Sequence, residues 1–144
     1  MSAAQQSMLA ESLRTYIIEH CPFLPVKGGS FALDGQLHDG EFMSMQFNPG
    51  QVLRTYINGT KKMLQPFTIF YQGRLTDDNE AKSAMIGSLN ALGEWMEANP
   101  APYLGDWLTV SELKQEATAS VTELGDKYIT YAATYMLGYV TKIQ

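Results

Sequence analysis

The chain has 144 residues, with 45% hydrophobic and 17% charged side chains. This length and balance predict one folded domain spanning residues 1–144 and exclude a disordered chain. The formal net charge is -5 and the sequence pI is about 4.9. This acidity argues against a general phosphate-binding surface for nucleic acid.

Cysteine usage and the chain start bear on the cellular compartment. Cys21 is the single cysteine, so no internal disulfide can form, which fits a reducing compartment. The first residues lack the basic region and apolar run of a signal peptide. No segment has the ~20 apolar residues of a membrane helix. We therefore expect a protein of the cytoplasm, or of a particle assembled there.

The first third of the chain predicts one helix and two short strands. Residues 4–20 have a helical apolar stripe, and Pro22 ends it. The stripe contains Leu9, Leu13, Tyr16, Ile17 and His20. Between residues 27 and 48 the glycine-containing turns separate candidate strands at 30–33 and 41–47.

The middle of the chain carries the clearest local signal, an Asn58-Gly59 pair that follows residues 52–57. Asn-Gly is typical of a tight two-residue hairpin turn, so a return strand should lead into residues 67–71. Pro66 lacks a backbone donor and predicts a bulge or an edge position.

A second helix follows that strand. Asp77 is the predicted N-cap, and Glu80 stands where its side chain can reach back to the cap. The Asn99-Pro100 pair ends the helix. Its apolar stripe contains Ala81, Met85, Leu89, Leu92 and Met96.

The last part of the chain predicts an irregular stretch at 100–108, then a hairpin of strands 117–124 and 127–142 around Gly125-Asp126. Alternate residues of the last strand share one apolar face: Ile129, Tyr131, Ala133, Tyr135, Leu137 and Tyr139. A helical period fits much of this segment too, but the turn and the Tyr and Thr content favour strand. The sequence thus predicts an α+β fold, with an antiparallel sheet and hairpins packed against two helices.

No set of residues predicts catalysis, a cofactor or a metal. Cys21 adjoins His20, but neighbouring helix residues do not face each other, so an inert thiol is favoured. The acidic turns at 34–41, which include His38, match neither an EF-hand loop nor a zinc motif. A hydrolase using the Asp77-Asp78 pair with Asp106 is a weaker hypothesis, since capping and turn roles explain these residues. We expect no enzyme activity.

Four residues are candidates for an interface with another protein. Arg54, Tyr56 and Gln72 belong to the predicted central hairpin and its polar face. Trp95 lies at the edge of the second helix's stripe, where core and interface roles are equally compatible with the pattern. The tyrosines of the last strand are expected in the core instead.

Several segments resemble the minor capsid proteins of tailed bacteriophages, a group related to the tail terminator or tail completion proteins. The resemblance covers about the last two thirds of the chain. The matching segments are Arg54-Thr55-Tyr56-Ile57-Asn58-Gly59, Pro66-Phe67-Thr68-Ile69-Phe70, Glu94-Trp95-Met96, and residues 127–139 from Lys127-Tyr128-Ile129 to Leu137-Gly138-Tyr139.

The resemblance implies a structural virion protein that forms a ring, six subunits in a typical tail terminator, at the head–tail junction of a long-tailed phage. The implied partners are other copies of the chain, the tail tube protein and the head connector or stopper proteins. DNA would pass through the ring without specific binding, and the protein would lie in the host cytoplasm before assembly. The alternative is a small-ligand-binding α+β domain without catalytic activity.

Overall fold

The computed structural model describes residues 3–26, 30–33, 40–75 and 77–142. These residues form two helices and a six-stranded, mostly antiparallel sheet. The predicted α+β fold is therefore confirmed. The elements in chain order are α1 (Ala3–His20), β1 (Phe31–Leu33), β2 (Phe42–Phe47), β3 (Gln51–Thr55), β4 (Lys61–Arg74), α2 (Asn79–Ala98), β5 (Leu108–Leu124) and β6 (Tyr128–Thr141).

The strands β4 and β6 form the centre of the sheet. They pair antiparallel without interruption, from Lys62 opposite Val140 to Arg74 opposite Tyr128. On the other side of β4, β3 and then β2 follow one another along the strand, and β1 pairs parallel to β2. The long strand β5 pairs with β6 and forms the opposite edge.

The predicted alternation of β6 is confirmed. Its six apolar-face residues, Ile129, Tyr131, Ala133, Tyr135, Leu137 and Tyr139, are all at most 3% exposed. They meet the alternate residues of β4, such as Phe67 and Ile69, which are fully buried. The pairing of β6 on both sides selects strand over the helical period that the sequence also permits, because every backbone group of a central strand finds a ladder partner.

Both helices pack through their predicted stripes. In α2 the buried residues include Met85, Leu89, Leu92 and Met96, whereas Ala81 is half-buried. In α1 Leu9, Leu13 and Ile17 are fully buried, whereas His20 at the helix end is exposed. A direct bond joins α2 to the sheet, since the Tyr135 hydroxyl donates to the Leu89 carbonyl at 2.7 Å.

The N-cap of α2 is Asp78, so the prediction of Asp77 is wrong by one residue. The Asp78 backbone is extended, and its side chain accepts from the Glu80 N–H at 2.9 Å. Asp77 precedes the cap as an exposed residue. Adjacent aspartates have equal intrinsic aptitude for capping, and the register of the buried stripe decides which one stands at the helix start.

The central hairpin is confirmed, but its turn has three residues rather than two. The Gly59 N–H donates to the Tyr56 carbonyl at 2.9 Å, and the Tyr56 N–H donates to the Thr60 carbonyl at 2.8 Å. Ile57 and Asn58 therefore occupy the turn centre, and Gly59, with φ of +88°, is the left-handed residue that follows.

Pro66 causes no bulge and lies in a central strand, so that prediction is wrong. Its carbonyl accepts from the Asn48 N–H at 3.0 Å. A strand residue directs its N and C=O to the same side, so the missing donor of Pro66 lies where β2 ends and the chain turns toward β3. The ladder to β6 therefore needs no donor from it.

The strand β5 begins at Leu108, whereas the sequence predicts an irregular stretch to 108 and a strand only from 117. Its pairing with β6 shifts register at four places between Val110 and Glu123. These irregularities interrupt the alternation of buried and exposed residues, and they explain why the first half of β5 gives no clear period-2 signal.

Candidate interaction surface

Two hairpin tips lie at opposite ends of the sheet. The β3–β4 tip comprises residues 51–62, and the β5–β6 tip comprises residues 120–128. Lys62 of the first tip is opposite Val140, at the far end of β6 from Tyr128. Since β4 has 14 residues, a rise of ~3.3 Å per residue separates the tips by about 45 Å.

The β3–β4 tip exposes apolar side chains around its turn. All five residues of β3 are exposed, including Val52 at 47% and Leu53 at 45%. Ile57, at the turn centre, is fully exposed. The Arg54 guanidinium lies 5.9 Å from the centre of the Tyr56 ring, which orients both side chains on this surface. The tip is thus an ordered apolar patch beside a cation.

The β5–β6 tip also exposes apolar side chains. Leu124 is 68% exposed and Val121 is 50% exposed. The tip is held by a bond from the Gly125 N–H to the Tyr128 carbonyl, and by one from the Leu75 N–H to the Lys127 carbonyl, each 2.9 Å long. Because Leu75 follows β4, the second bond fixes the tip to the body of the sheet.

The two tips differ in charge. Residues 42–76 contain no acidic side chain, and the β3–β4 tip carries Arg54, Lys61 and Lys62. Residues 115–126 contain no basic side chain, and the β5–β6 tip carries Glu123 and Asp126. Lys127 lies in the second turn itself, because the Gly125 N–H donates to the Tyr128 carbonyl, and Arg74 of β4 is opposite Tyr128 at the same end of the sheet. The chain is therefore electrostatically asymmetric along its strands.

The four predicted interface residues separate into two groups. Arg54 and Tyr56 lie together on the β3–β4 tip, and both are exposed. Gln72 is only 6% exposed and donates to the Gly40 carbonyl at 2.9 Å. Its side chain is therefore engaged inside the subunit, which corrects its assignment to an exposed polar face. Trp95 is half-buried, with its ring centre 5.6 Å from that of Tyr16.

The exposed apolar residues of the tips, above all Ile57 and Leu124, are absent from the sequence-based set. A signal for them exists, because Ile57 directly precedes the Asn-Gly pair and Leu124 directly precedes the Gly-Asp pair. Residues at a hairpin turn have no strand on the far side to cover them. An apolar residue in that position is consequently exposed unless another element reaches it.

The structure places three of the residues considered for catalysis, Cys21, His20 and Asp106, in different surroundings. Cys21 is buried, and this burial raises the pKa of its thiol, which lowers its reactivity. His20 is exposed, with Nδ1 donating to the Tyr16 carbonyl at 3.0 Å. Asp106 accepts a hydrogen bond from the Tyr103 hydroxyl, and this bond raises the pKa of Tyr103.

Metal ligands are not grouped either: the described ranges contain no cluster of three His, Cys, Asp or Glu side chains suited to a metal ion. Asp34, His38 and Asp39 lie outside the described residues. Neither helix in the described part of the chain is long and apolar enough to cross a membrane.

A groove of about 590 Å³ runs between α1 and residues 103–105 and bears on the ligand-binding alternative. Charged and polar side chains of α1 line it, and Glu11, Glu19 and His20 are exposed. Small-molecule sites usually bury most of the ligand among apolar walls with a few convergent polar groups. In this groove α1 contributes polar, exposed side chains, whereas Tyr16, Tyr103 and Leu104 contribute apolar surface.

No family model matches the chain, and no curated protein matches it. Twenty chains of solved structures do match. One carries only a sequence identifier as its name. It is 15% identical, aligns over 96% of both chains and has a TM-score of 0.55. The likeness at this identity concerns the fold alone.

Proposed function

We propose that the protein is a structural subunit of a long-tailed bacteriophage, a tail terminator or tail completion protein. Copies of the chain form a ring, with six subunits as in a typical member of that group. The ring lies at the head–tail junction, between the tail tube protein and the head connector or stopper. DNA passes through its lumen without specific binding.

The observation that carries this proposal is the pair of dissimilar hairpin tips at opposite ends of the sheet. A surface that fits a different surface on the next copy makes a head-to-tail contact, and such contacts close into rings when the rotation permits. The α+β fold agrees with the fold that the resemblance implies. The net charge of -5 also suits a ring that DNA must traverse without adhering.

The proposal is tested in the phage that encodes the protein. Lysates of a phage lacking the gene are complemented with the unmodified chain, with Arg54→Glu or with Arg54→Lys, and are examined by electron microscopy. We expect head-attached tails with the unmodified chain and with Arg54→Lys. Arg54→Glu should give heads and tails that fail to join, because it reverses a charge on an exposed, unburied tip without disturbing the core.

Two outcomes would count against the proposal. Normal virions formed without any copy of the protein would remove its role in assembly. Normal head-attached tails with Arg54→Glu would show that Arg54 is not part of the ring contact. The function itself is then tested by the virions formed without the protein.

A further inference from the structure

We infer that the β3–β4 tip of one subunit docks on the β5–β6 tip of the next copy of the same chain. This inference rests on the proposed ring and names the two surfaces that build it. The occupant of each tip is a second copy, since the chain itself carries the complementary surface. The two tips of one chain lie about 45 Å apart along 14-residue strands. The two tips of one subunit therefore cannot contact each other.

Charge complementarity is the first argument. Arg54 and Lys61 are exposed on the β3–β4 tip, and no acidic residue occurs between positions 42 and 76. The β5–β6 tip exposes two acidic side chains, Glu123 and Asp126, and one basic side chain, Lys127, so its charge is weakly negative. Like tips would bring like charges together, whereas unlike tips bring opposite charges together. Electrostatics thus favours the head-to-tail arrangement over a symmetric dimer through the β3–β4 tip, whose charged side chains are all basic.

Matched apolar patches are the second argument. Ile57 is fully exposed and Val52 is 47% exposed on one tip, while Leu124 is 68% exposed and Val121 is 50% exposed on the other. Each tip also carries exposed charged side chains, Arg54 and Lys61 on one and Glu123 and Asp126 on the other, and protein interfaces combine an apolar centre with a polar rim. Docking the tips removes both patches from water together.

The backbone edge at β3 is the third argument. Within the described residues, β3 pairs with β4 and with no other strand, so its outer N–H and C=O groups lie on an exposed edge. Such an edge invites pairing with another chain. The register of β3 shifts once, between Val52 and Arg54. This exposed edge lies on one of the two tips that we assign to the contact.

The first experiment uses two purified variants, each with one tip disabled. Ile57→Asp places a charge in the apolar centre of the β3–β4 tip, and Leu124→Asp does the same on the β5–β6 tip. Met8→Asp is the matched control, because Met8 is a 58% exposed apolar residue on α1. Analytical ultracentrifugation measures mass, and circular dichroism checks that each variant is folded.

We expect the unmodified chain and Met8→Asp to assemble, and each tip variant alone to remain a monomer of 16.0 kDa. A mixture of Ile57→Asp with Leu124→Asp should give a species of twice that mass and nothing larger. The reason is that one intact tip of each kind remains in the mixture, so one contact forms and the ring cannot grow. A symmetric contact would give no such complementation.

Charge reversal provides the second experiment. Arg54→Glu with Lys61→Glu should weaken self-association roughly tenfold or more at low salt. Adding Glu123→Lys and Asp126→Lys to the same chain should restore it, because the two tips have then exchanged sign. The restored assembly should again weaken as salt is raised.

Folded variants that keep the oligomer, a mixture that stays monomeric, or an unmodified chain that sediments only as a monomer would each overturn the inference. These results are distinguishable from failure of the proposed function. If the two tip variants pair in solution but virions are found to lack the protein, the phage role alone is refuted. Protein found at the head–tail junction without complementation of the tip variants would refute the docking arrangement alone.

Discussion

Tyr135→Phe removes the hydroxyl that joins the sheet to α2, and its effect on stability should reverse with pH. In the native protein this hydroxyl donates to the Leu89 carbonyl at 2.7 Å, and the side chain is fully buried. The phenyl ring keeps the packing against Phe67, whose ring centre lies 5.5 Å away. The substitution therefore isolates one buried hydrogen bond with little change of volume.

At neutral pH the expected loss of unfolding free energy is about 1 kcal/mol, the usual net value of a neutral hydrogen bond. The full penalty of an orphaned buried carbonyl does not arise. Leu89 lies inside α2, so its carbonyl also accepts the helical bond from the N–H four residues later.

At alkaline pH the order of the two proteins should invert. Burial raises the pKa of Tyr135 well above its ordinary value. The folded chain therefore keeps this proton after the unfolded chain has released it, so folding stability falls as pH rises above about 10. The unfolding free energy falls by about 1.4 kcal/mol per pH unit for one tyrosine. The phenylalanine variant has no ionisable group at this position and does not show this fall. The two stabilities should be equal near a pH of roughly 10.6.

Urea unfolding followed by circular dichroism measures both free energies across this range. Tyr56→Phe is the matched control, because Tyr56 is 37% exposed on the β3–β4 tip, and surface substitutions usually change stability by under ~0.5 kcal/mol. The buried Tyr131 and Tyr139, whose pKa values are also raised, titrate in both proteins and cancel. A constant difference between Tyr135→Phe and the unmodified chain from neutral pH to a pH of about 11 would refute this reasoning.

Three further predictions address the helix cap, the hairpin turn and the thiol. Asp78→Ala should cost about 1 kcal/mol of unfolding free energy by removing the N-cap, and Asp77→Ala should cost much less in the same denaturation experiment; equal losses would contradict the cap assignment. Gly59→Val should lower the melting temperature, because φ of +88° resists a β-branched residue. The control Gly87→Ala, on an exposed part of α2 with open space around it, should raise stability by up to ~1 kcal/mol. Cys21 should react slowly with iodoacetamide in the folded chain and rapidly in urea, since burial both covers the thiol and raises its pKa; equal rates would show that it is accessible.

Local, repeated signals in the amino-acid sequence are enough to predict several elements of the fold. The stripe from Met85 to Met96 fixed α2, and the alternation from Ile129 to Tyr139 fixed the buried face of β6. Both patterns predict the structure correctly, because in each case a single element buries one of its faces. The turn signals at Asn58-Gly59 and Gly125-Asp126 also placed both hairpins, and Gly59 adopts the positive φ of +88° that other residues resist.

The way in which those elements meet depends on contacts between segments that are distant in the chain. The tertiary structure placed Pro66 in a central strand, at the break between β2 and β3. It buried Gln72 against the Gly40 carbonyl, and it set the register that makes Asp78 the cap. It also put the two tips at opposite ends of one sheet, leaving Ile57 and Leu124 uncovered. A turn signal places such residues where no strand covers them, but whether another element reaches them depends on the tertiary packing.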